Sequence, residues 1–559
     1  MSIYYELTGL LLLAALAGAV AVRLRQPLLV AFIATGIIAG PAVLGWVVTS
    51  DPIELLAELG ITVLLFVVGL KLDLRLVRNL GPVALATGLG QIVFTTVFGF
   101  ALALALGMPP LTALYVAVAL TFSSTIIIVK LLSDKREIDS LHGRIAMGFL
   151  IVQDIAVALA MMVLSVLGAG LAPAADNGLL WLPLKLAAVV IGILLLMRYV
   201  LPRVLHLLAR SGELLLIVAV AWGAVLATLG DMLGFSKEVG ALLAGFSLAS
   251  TPYREAISTR LTSLRDFLLL FFFIELGAQL DFATIGGQVP AAVALSLFVL
   301  IGNPLIVMAI MGYMGYRRHT GFLAGLTVAQ ISEFSFVFIA LGVSLGQVLP
   351  EAVGLVTLVG LITITLSTYM ILYSHHLYRW LDPWLVVFER RRPQREAEEG
   401  GHVLPGERPV DIIIYGLGRY GWLLADDLQK KGFQVLGVDF DPELVRRFRR
   451  LGINVRFGDA EDPDYPETLP LHEARWVVST LASTEVNLAL LEALRRWGFQ
   501  GMTVLTAHTE ADARRLRAAG ADRVLLPFRD AAAFAAEIVS SQDGLEGGKV
   551  PGDYLSDHG

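Results

Sequence analysis

The chain has 559 residues, of which 56% are hydrophobic and 16% charged, with a net charge of -6 and a mean hydropathy of +0.74. This amount of apolar sequence exceeds what a soluble core can bury, so composition excludes a purely soluble protein and predicts a bilayer protein. Cysteine is absent, which excludes disulfides, thiolate metal sites and a cysteine nucleophile. No block of Lys and Arg is long enough to indicate nucleic-acid binding, so we expect no nucleic-acid partner.

Apolar runs follow one another from residue 1 to about residue 385. Because a helix needs roughly 20 apolar residues to cross the hydrocarbon, these runs predict about thirteen transmembrane helices. The first run has no basic segment before it, so we interpret it as a helix and not a signal peptide. The expected spans are 5–22, 28–48, 54–70, 82–106, 111–132, 144–168, 180–201, 213–230, 234–250, 264–278, 288–312, 320–346 and 351–375.

Lys and Arg gather in every second connection between these spans, which is the pattern of cytoplasmic loops. The intervening connections are mainly acidic, with Lys237 as the clear basic exception. The alternation predicts an external N-terminus and a cytoplasmic C-terminal region. The basic connections contain Arg23, Arg25, Lys71, Arg75, Arg78, Lys130, Lys135, Arg136, Arg144, Arg198, Arg203, Arg210, Arg254, Arg260, Arg265, Arg317 and Arg318.

Asp154 lies beside Gln153 in the middle of the apolar segment GFLIVQDIAVALAMMVL. An ionisable group inside a bilayer costs at least a few kcal/mol, which makes it a functional candidate. Removal from water favours the protonated carboxyl, so such a group can alternately hold a proton and a monovalent cation. A hydrogen-bonded structural carboxylate is the alternative. We predict that Asp154 and Gln153 belong to an exchange site.

A cluster of hydroxyl residues interrupts the fifth predicted span, just before the span that carries Asp154. Its members are Thr121, Ser123, Ser124 and Thr125. Such hydroxyls can bond to carbonyl groups within an intact helix, which is the structural alternative. We nevertheless include all four among the expected ion-binding residues.

A second interruption lies in the twelfth predicted span, where Ser332 and Glu333 stand between Gln330 and Ser335. Interrupted spans in corresponding positions of two halves are typical of transporters with inverted repeats, in which broken helices cross at the midplane. The fifth and twelfth spans are seven spans apart, and because this number is odd the two spans cross the membrane in opposite directions. We predict an all-α membrane domain of this kind, with Ser332 and Glu333 at the ion site.

The chain becomes polar after Trp384, and a short strand, DIIIYG, then leads into the loop GLGRYG and a helix. Gly416, Gly418 and Gly421 are spaced as in the dinucleotide fingerprint, where backbone N–H groups approach a phosphate at a helix N-terminus. Asp439 ends the next strand, 18 residues after Gly421, in position for ribose hydroxyls. The alternative is a glycine turn that only packs a helix.

Alternating strands and helices continue to about residue 527 and predict a doubly wound Rossmann sheet. We expect Arg419, in the glycine loop, and Asp459, after the strand NVRF, to contact the nucleotide too. The predicted organisation is a transmembrane exchange domain at 1–385, a charged linker at 386–409, a cytoplasmic Rossmann domain at 410–540 and a flexible tail at 541–559.

The chain resembles the cation:proton antiporter-2 family, and specifically its Kef-type members, which carry a domain that regulates potassium conductance. The resemblance rests on the motifs Gln153-Asp154, FFFIELGAQLDF, AQISEFSF, GLGRYG, VDFDPE and GDAEDPD, in this order. It implies that Asp154 carries the exchanged proton and cation in a bacterial inner membrane. It also implies a homodimer and a regulatory adenine nucleotide, AMP or NAD(H), without a metal cofactor.

Two positions depart from this resemblance. Many relatives have a Lys where this chain has Asn303, which leaves the coupling stoichiometry open. Glutathione-gated relatives have an acidic stretch that residues 252–266 lack, so we do not extend glutathione control to this chain.

The expected function is exchange of a monovalent cation, K+ in the first place, for H+. A Na+/H+ antiporter of the same architecture is one alternative. A ligand-gated K+ channel is another, although no carbonyl filter loop of the TVGYG type is present. An NAD-dependent enzyme would need a substrate domain, and the sequence after Pro527 offers none, so we expect a transporter and not an enzyme.

Overall fold

The computed structural model describes residues 3–41, 43–46, 51–71, 82–135, 137–138, 140–171, 212–232, 236–249, 251, 253–280, 282–389, 409–460, 462–463 and 465–540. The chain divides into two compact units, Met1–Arg390 and Arg391–Gly559. The seventh predicted span, most of the predicted linker and the predicted tail lie outside the described residues.

The first unit is entirely helical where it is described. Its helices are α1 (Ile3–Arg23), α2 (Leu28–Ala39), α3 (Asp51–Lys71), α4 (Pro82–Ala105), α5 (Pro110–Ala119), α6 (Thr125–Asp134), α7 (Leu141–Leu171), α8 (Gly212–Met232), α9 (Lys237–Leu248), α10 (Arg254–Ala278), α11 (Phe282–Leu297), α12 (Asn303–Tyr313), α13 (Arg318–Leu326), α14 (Glu333–Ser344), α15 (Glu351–Leu372) and α16 (Ser374–Leu385). A π-helical turn, Phe298–Gly302, joins α11 to α12, and a 3-10 turn, Val386–Phe388, follows α16.

Both predicted interruptions are breaks between two half-helices. In the first, the hydroxyl of Ser124 accepts a hydrogen bond from the Ile127 amide (3.4 Å) and so caps the start of α6. In the second, Ser332 caps α14 in the same way through the amide of Phe334 (3.3 Å). The Ser332 amide in turn donates to the Ser335 hydroxyl (3.3 Å). A serine hydroxyl can accept a hydrogen bond from one of the free N–H groups at a helix start. Ser124 and Ser332 do so, and a new helical segment begins directly after each of them.

Seven helices within the described ranges are long and apolar enough to span a membrane, against about thirteen predicted spans. Two of the missing spans are the broken ones. The second predicted span, 28–48, ends at Ala39. Gly40 is extended and precedes Pro41, whose ring disfavours helix at the residue before it. The ninth predicted span is the short helix α9. The tenth corresponds to α10, which begins ten residues before the predicted start at 264 and carries charged residues in its first half.

The helices beside the broken pair are packed backbone to backbone through glycines. A Cβ atom at Gly69 of α3 would lie 2.2 Å from the Leu242 carbonyl oxygen, and one at Gly277 of α10 would lie 2.2 Å from that of Ile33. Small residues of this kind allow close helix approach in membranes. They hold α2, α3, α9 and α10 together as one packed group.

The second unit is the predicted Rossmann fold. Its strands are β1 (Ile412–Tyr415), β2 (Val435–Asp439), β3 (Val455–Phe457), β4 (Trp476–Ser479), β5 (Met502–Thr506) and β6 (Arg523–Leu525). They form one six-stranded sheet in the order β3-β2-β1-β4-β5-β6, and every pairing is parallel. The helices are α17 (Arg419–Lys430), α18 (Pro442–Arg450), α19 (Thr484–Arg496), α20 (Glu510–Ala518) and α21 (Pro527–Ser540). The order reverses beside β1, which is where ligands bind in such sheets.

Candidate functional site

The two helix breaks lie side by side. The Ser335 hydroxyl, just after the second break, donates a hydrogen bond to the carbonyl of Ala119 (2.5 Å), just before the first. Phe338 packs its ring against Tyr115 and Phe122, with ring centroids 5.4 and 5.9 Å apart. The breaks therefore form one region, as the predicted crossing of the two spans requires.

Asp154 faces the first break from α7. Its Oδ2 atom accepts a hydrogen bond from the hydroxyl of Thr125 (3.1 Å), the first residue of α6. A carboxylate and a hydroxyl are oxygen ligands that suit a hard cation, and the same carboxylate can take a proton instead. The contact brings together two of the predicted site residues across 29 positions of sequence.

A cavity of about 500 Å³ opens beside this pair. Asp154 and Thr125 line it from the first break, and Glu333 lines it from the second. Its other charged lining residues come from α3 and α10. They are Lys71, Arg254, Glu255 and Arg265. Acidic groups thus line the cavity beside the breaks, and three of the four charged lining residues from α3 and α10 are basic.

Glu333 is a buried carboxylate, 3% exposed, at the start of α14. Its Oε2 atom accepts a hydrogen bond from the Ser332 hydroxyl (3.2 Å), whereas Oε1 has no hydrogen-bond partner among the described residues. A buried oxygen without a donor is costly unless a proton or a cation meets it. Glu333 therefore has one oxygen available to such a ligand.

The remaining predicted ion-site residues are not among those that line the cavity. Gln153 and Ser332 make hydrogen bonds within the breaks, and Ser124 is occupied as a helix cap. The Thr121 hydroxyl donates to the Val118 carbonyl (2.7 Å), which is the back-bonding that competes with ligand contact. Ser123 offers its backbone amide to Gln153 (3.1 Å).

Two polar residues of the same region were missed by the sequence analysis. Gln91 and Thr95 are fully buried on α4, one helical turn apart. The signal was present, because a Gln followed four residues later by a Thr in an apolar span is a polar pair on one face.

The glycine loop of the Rossmann unit has the geometry of a phosphate site. Gly416 has a φ of 84°, which is strained for other residues. A Cβ atom at Gly421 would lie 1.9 Å from the Gly416 oxygen, so this position also requires glycine. Gly418 is exposed at the start of α17, and no atom of the described residues lies within 4 Å of an added Cβ. The helix N-terminus is therefore open to an anion.

Asp439 ends β2 and holds the loop in place. Its Oδ2 atom accepts a hydrogen bond from the Leu417 amide (2.6 Å) and its Oδ1 atom from the Asp441 amide (2.8 Å). Burial raises the pKa of Asp439, although these amide hydrogen bonds oppose that effect. Each oxygen keeps a second lone pair for a ribose hydroxyl. Asp459 lies buried after β3, the strand that pairs with β2, and Arg419 is exposed at the first position of α17.

Comparison with known families matches both units. The family described as "sodium/hydrogen exchanger, transmembrane" matches residues 11–372, and the TrkA-N domain matches residues 412–527. Of the solved structures, the sodium proton antiporter MjNhaP1 of Methanocaldococcus jannaschii aligns at 16% identity over 67% of this chain and 98% of its own, with a TM-score of 0.45. The TrkA-N domain of YbaL from Escherichia coli aligns at 19% identity over 24% of this chain and 98% of its own, with a TM-score of 0.23.

Curated relatives extend over nearly the whole chain. The YbaL protein of Escherichia coli K12, which is named as a cation/proton antiporter, is 26% identical over 96% of this chain and 97% of its own. KefB of Alkalimonas amylolytica, named as a K+ efflux antiporter, is 28% identical over 90% of this chain and 76% of its own. The glutathione-regulated potassium-efflux system protein KefC of Escherichia fergusonii is 28% identical over 91% of this chain and 80% of its own. These relatives confirm the resemblance to Kef-type antiporters.

The family match covers more than half of the chain and includes both helix breaks and Asp154. The second match covers the glycine loop and the whole described sheet. This chain therefore belongs to the sodium/hydrogen exchanger family and carries a TrkA-N domain of Rossmann fold after its membrane domain.

Proposed function

We propose that the chain is a secondary transporter that exchanges a monovalent cation, K+ before Na+, for H+, with Asp154 as the group that binds both. The observation that carries this proposal is the cavity shared by Asp154, Thr125 and Glu333 at the two helix breaks. The names of the relatives, cation/proton and K+ efflux antiporters, agree with it.

The exchange needs one site that is never occupied by both ions. A cation binds to the Asp154 carboxylate with help from the Thr125 hydroxyl, and a proton that joins the carboxylate removes the charge that held the cation. The half-helices on either side of the breaks then present the occupied site to the opposite face of the membrane. We further propose that the protein lies in a bacterial cytoplasmic membrane as a homodimer, which the resemblance implies, with its N-terminus outside, which the alternation of Lys and Arg predicts.

Proton flux in proteoliposomes tests the proposal directly. Purified protein is reconstituted with a pH-sensitive dye inside, and KCl, RbCl, NaCl and LiCl are added separately. We expect K+ and Rb+ to drive the largest proton movement. A response to Na+ and Li+ alone would instead support the sodium/hydrogen exchange for which the family is named. A cation current without proton movement would support a channel.

We expect the exchange to be electroneutral. One proton replaces one monovalent cation on Asp154, and Asn303 adds no charge to the region. Exchange measured at zero potential and at a potential set by a thiocyanate gradient should proceed at the same rate. A clear dependence on the potential would show that a second group, with Glu333 as the first candidate, also changes its charge in the cycle.

The Rossmann unit regulates this exchange in our proposal. An adenine nucleotide, AMP or NAD(H), places its phosphates at Gly416, Gly418 and Gly421 and its ribose at Asp439. Its occupancy changes the balance between resting and active states, which requires that the nucleotide bind one state more tightly than the other. The open N-terminus of α17 supports such a site.

Helix α16, the last helix of the membrane unit, offers a route for that signal. The Lys135 ammonium, at the end of α6, donates a hydrogen bond to the Ser374 hydroxyl (2.8 Å), and His375 contacts Glu137 (3.1 Å). Burial opposes ionisation of Glu137, but its hydrogen bonds with His142 and His375 and the Lys135 charge outweigh this and hold its pKa well below the usual range. The ionised carboxylate thus fixes α16 to the half-helix that carries Thr125.

Loss of this attachment should separate nucleotide binding from transport. In the double variant Ser374→Ala/His375→Phe, we expect unchanged nucleotide affinity in calorimetry and an exchange rate that responds weakly or not at all to nucleotide. The exposed neighbour His376 provides a matched control in His376→Phe. A normal nucleotide response in the double variant would exclude this route.

A further inference from the structure

A chain of hydrogen-bonded side chains begins at the first helix break. The backbone amide of Ser123 donates to the Oε1 atom of Gln153 (3.1 Å), whose Nε2 atom donates to Oε1 of Gln91 (2.7 Å). The Nε2 atom of Gln91 donates in turn to the hydroxyl of Thr95 (3.1 Å). This series of hydrogen bonds therefore runs from the first break through α7 into α4, and none of its four residues lines the cavity.

The same chain continues to the second break. The Thr95 hydroxyl donates to Oδ1 of Asn303 (2.6 Å), and Nδ2 of Asn303 donates to the backbone carbonyl of Val328 (3.3 Å). Val328 lies between α13 and α14, in the second break. Asn303 is the first residue of α12 and follows the π-helical turn, a feature that is frequent at functional sites.

The two ends of the chain fix its direction. A backbone amide can only donate and a backbone carbonyl can only accept, so Ser123 and Val328 determine how each amide side chain between them is turned. All five hydrogen bonds then point the same way, and hydrogen bonds in such a series polarise and strengthen one another. Gln91, Thr95 and Asn303 are fully buried, and Gln153 is 1% exposed. An interrupted link would leave buried polar atoms unsatisfied.

We propose that Gln91, Thr95 and Asn303 are positioning residues that, through Gln153, hold the two breaks at a fixed separation and thereby keep Thr125 against Asp154. This series of hydrogen-bonded residues contains no ionisable group, so it neither carries the exchanged proton nor binds the cation. It holds Ser123, which stands two residues before Thr125, and the carbonyl at Val328, which precedes Glu333 by five residues. This inference rests on the proposed exchange at Asp154 and assigns residues that act through it.

Thr95 is the best position for a test because one atom carries both neighbouring links. Thr95→Val keeps the size of the side chain and removes the hydroxyl, which leaves Gln91 without an acceptor and Asn303 without a donor. We expect the KM for the transported cation to rise about tenfold, with a smaller change in kcat, because the loosened break no longer holds Thr125 at Asp154. Thr95→Ser retains the hydroxyl and should restore the wild-type KM.

The adjacent Thr96 gives a matched control. It lies on the same helix, half-buried, and none of the five links involves it. Thr96→Val should leave KM and kcat at wild-type values. If Thr95→Val behaves as Thr96→Val does, or if Thr95→Ser is as impaired as Thr95→Val, the proposal is overturned. Should Thr95→Val not fold, Thr95→Ala removes the same hydroxyl with less bulk and takes its place in both assays.

A second measurement does not depend on transport. The chain has no cysteine, so Ser123→Cys introduces a single thiol into the first break at a position that is 1% exposed. Labelling by a membrane-permeant maleimide should be slow in this background and at least tenfold faster when Thr95→Val is added, but not when Thr96→Val is added. Equal labelling rates would overturn the positioning role. If the wild-type protein moves no protons but the labelling difference is observed, only the proposed exchange is wrong and the positioning role stands.

Discussion

Asp154→Asn is expected to reduce cation-driven proton movement to the level of protein-free liposomes. The amide has the shape of the carboxylate and can still accept the Thr125 hydroxyl hydrogen bond, so the fold should survive. It can neither take up a proton near neutral pH nor neutralise a cation, and both halves of the exchange depend on those properties. Dye-reported proton flux at saturating KCl measures the effect, and gel filtration and thermal unfolding report on the fold.

The control for this variant is Asp231→Asn. Asp231 is an exposed acidic residue near the end of α8, so its substitution removes the same charge without touching the cavity. It should exchange at the wild-type rate. Exchange at a normal rate by Asp154→Asn would mean that another group, of which Glu333 is the one in the same cavity, carries the ions.

Gly418→Asp is expected to abolish regulation by the nucleotide through loss of binding. An added Cβ meets no atom of the described part of the chain within 4 Å, so the new carboxylate fits at the start of α17, where the phosphates should lie. Two like charges about 4 Å apart repel by roughly 1 to 4 kcal/mol near a protein surface, so affinity should fall by about fivefold or more. Calorimetry with AMP and with NADH measures the loss, and proton flux with and without nucleotide measures its consequence.

Gly418→Ala distinguishes the effect of the added charge on nucleotide binding from the effect of the added Cβ atom. It adds the same Cβ without a carboxylate and should bind nucleotide almost as the wild type does. Asp439→Ala is a less selective variant, because Asp439 also accepts the Leu417 and Asp441 amides and its loss disturbs the loop itself. Transport by Gly418→Asp at the wild-type rates with and without nucleotide, with binding demonstrably lost, would contradict a regulatory role for this unit.

Features that depend on local sequence were predicted well. The apolar runs indicated the long membrane helices, and clusters of hydroxyl residues indicated both breaks, because serine caps a helix start wherever the chain lies. The spacing of Gly416, Gly418 and Gly421 indicated the tight glycine turn before α17, since positive φ and a close backbone approach are also local demands. The ends of the short helices were predicted less well, because apolar residues continue beyond Ala39 into irregular structure.

Which polar residues meet was beyond the sequence pattern. Thr125 and Glu333 line the cavity, whereas Thr121 bonds back to the end of α5, although all three stand beside a break. Gln91 and Asn303 have no local feature that indicates a common partner. Their connection through Thr95 exists only because α4 packs between α7 and α12 with particular faces inward.

The sequence by itself therefore determined which region lies in the membrane and which in water, the two breaks, Asp154 as the ionisable residue of its span and the tight glycine loop before α17. Each of these follows from hydropathy, helix capping or backbone conformation within a few neighbouring residues. Only the tertiary structure decided that Glu333 shares the Asp154 cavity and that five hydrogen bonds join the breaks. The physical reason is that side-chain hydrogen bonds reach only about 3 Å, so they depend on how distant helices are rotated and packed.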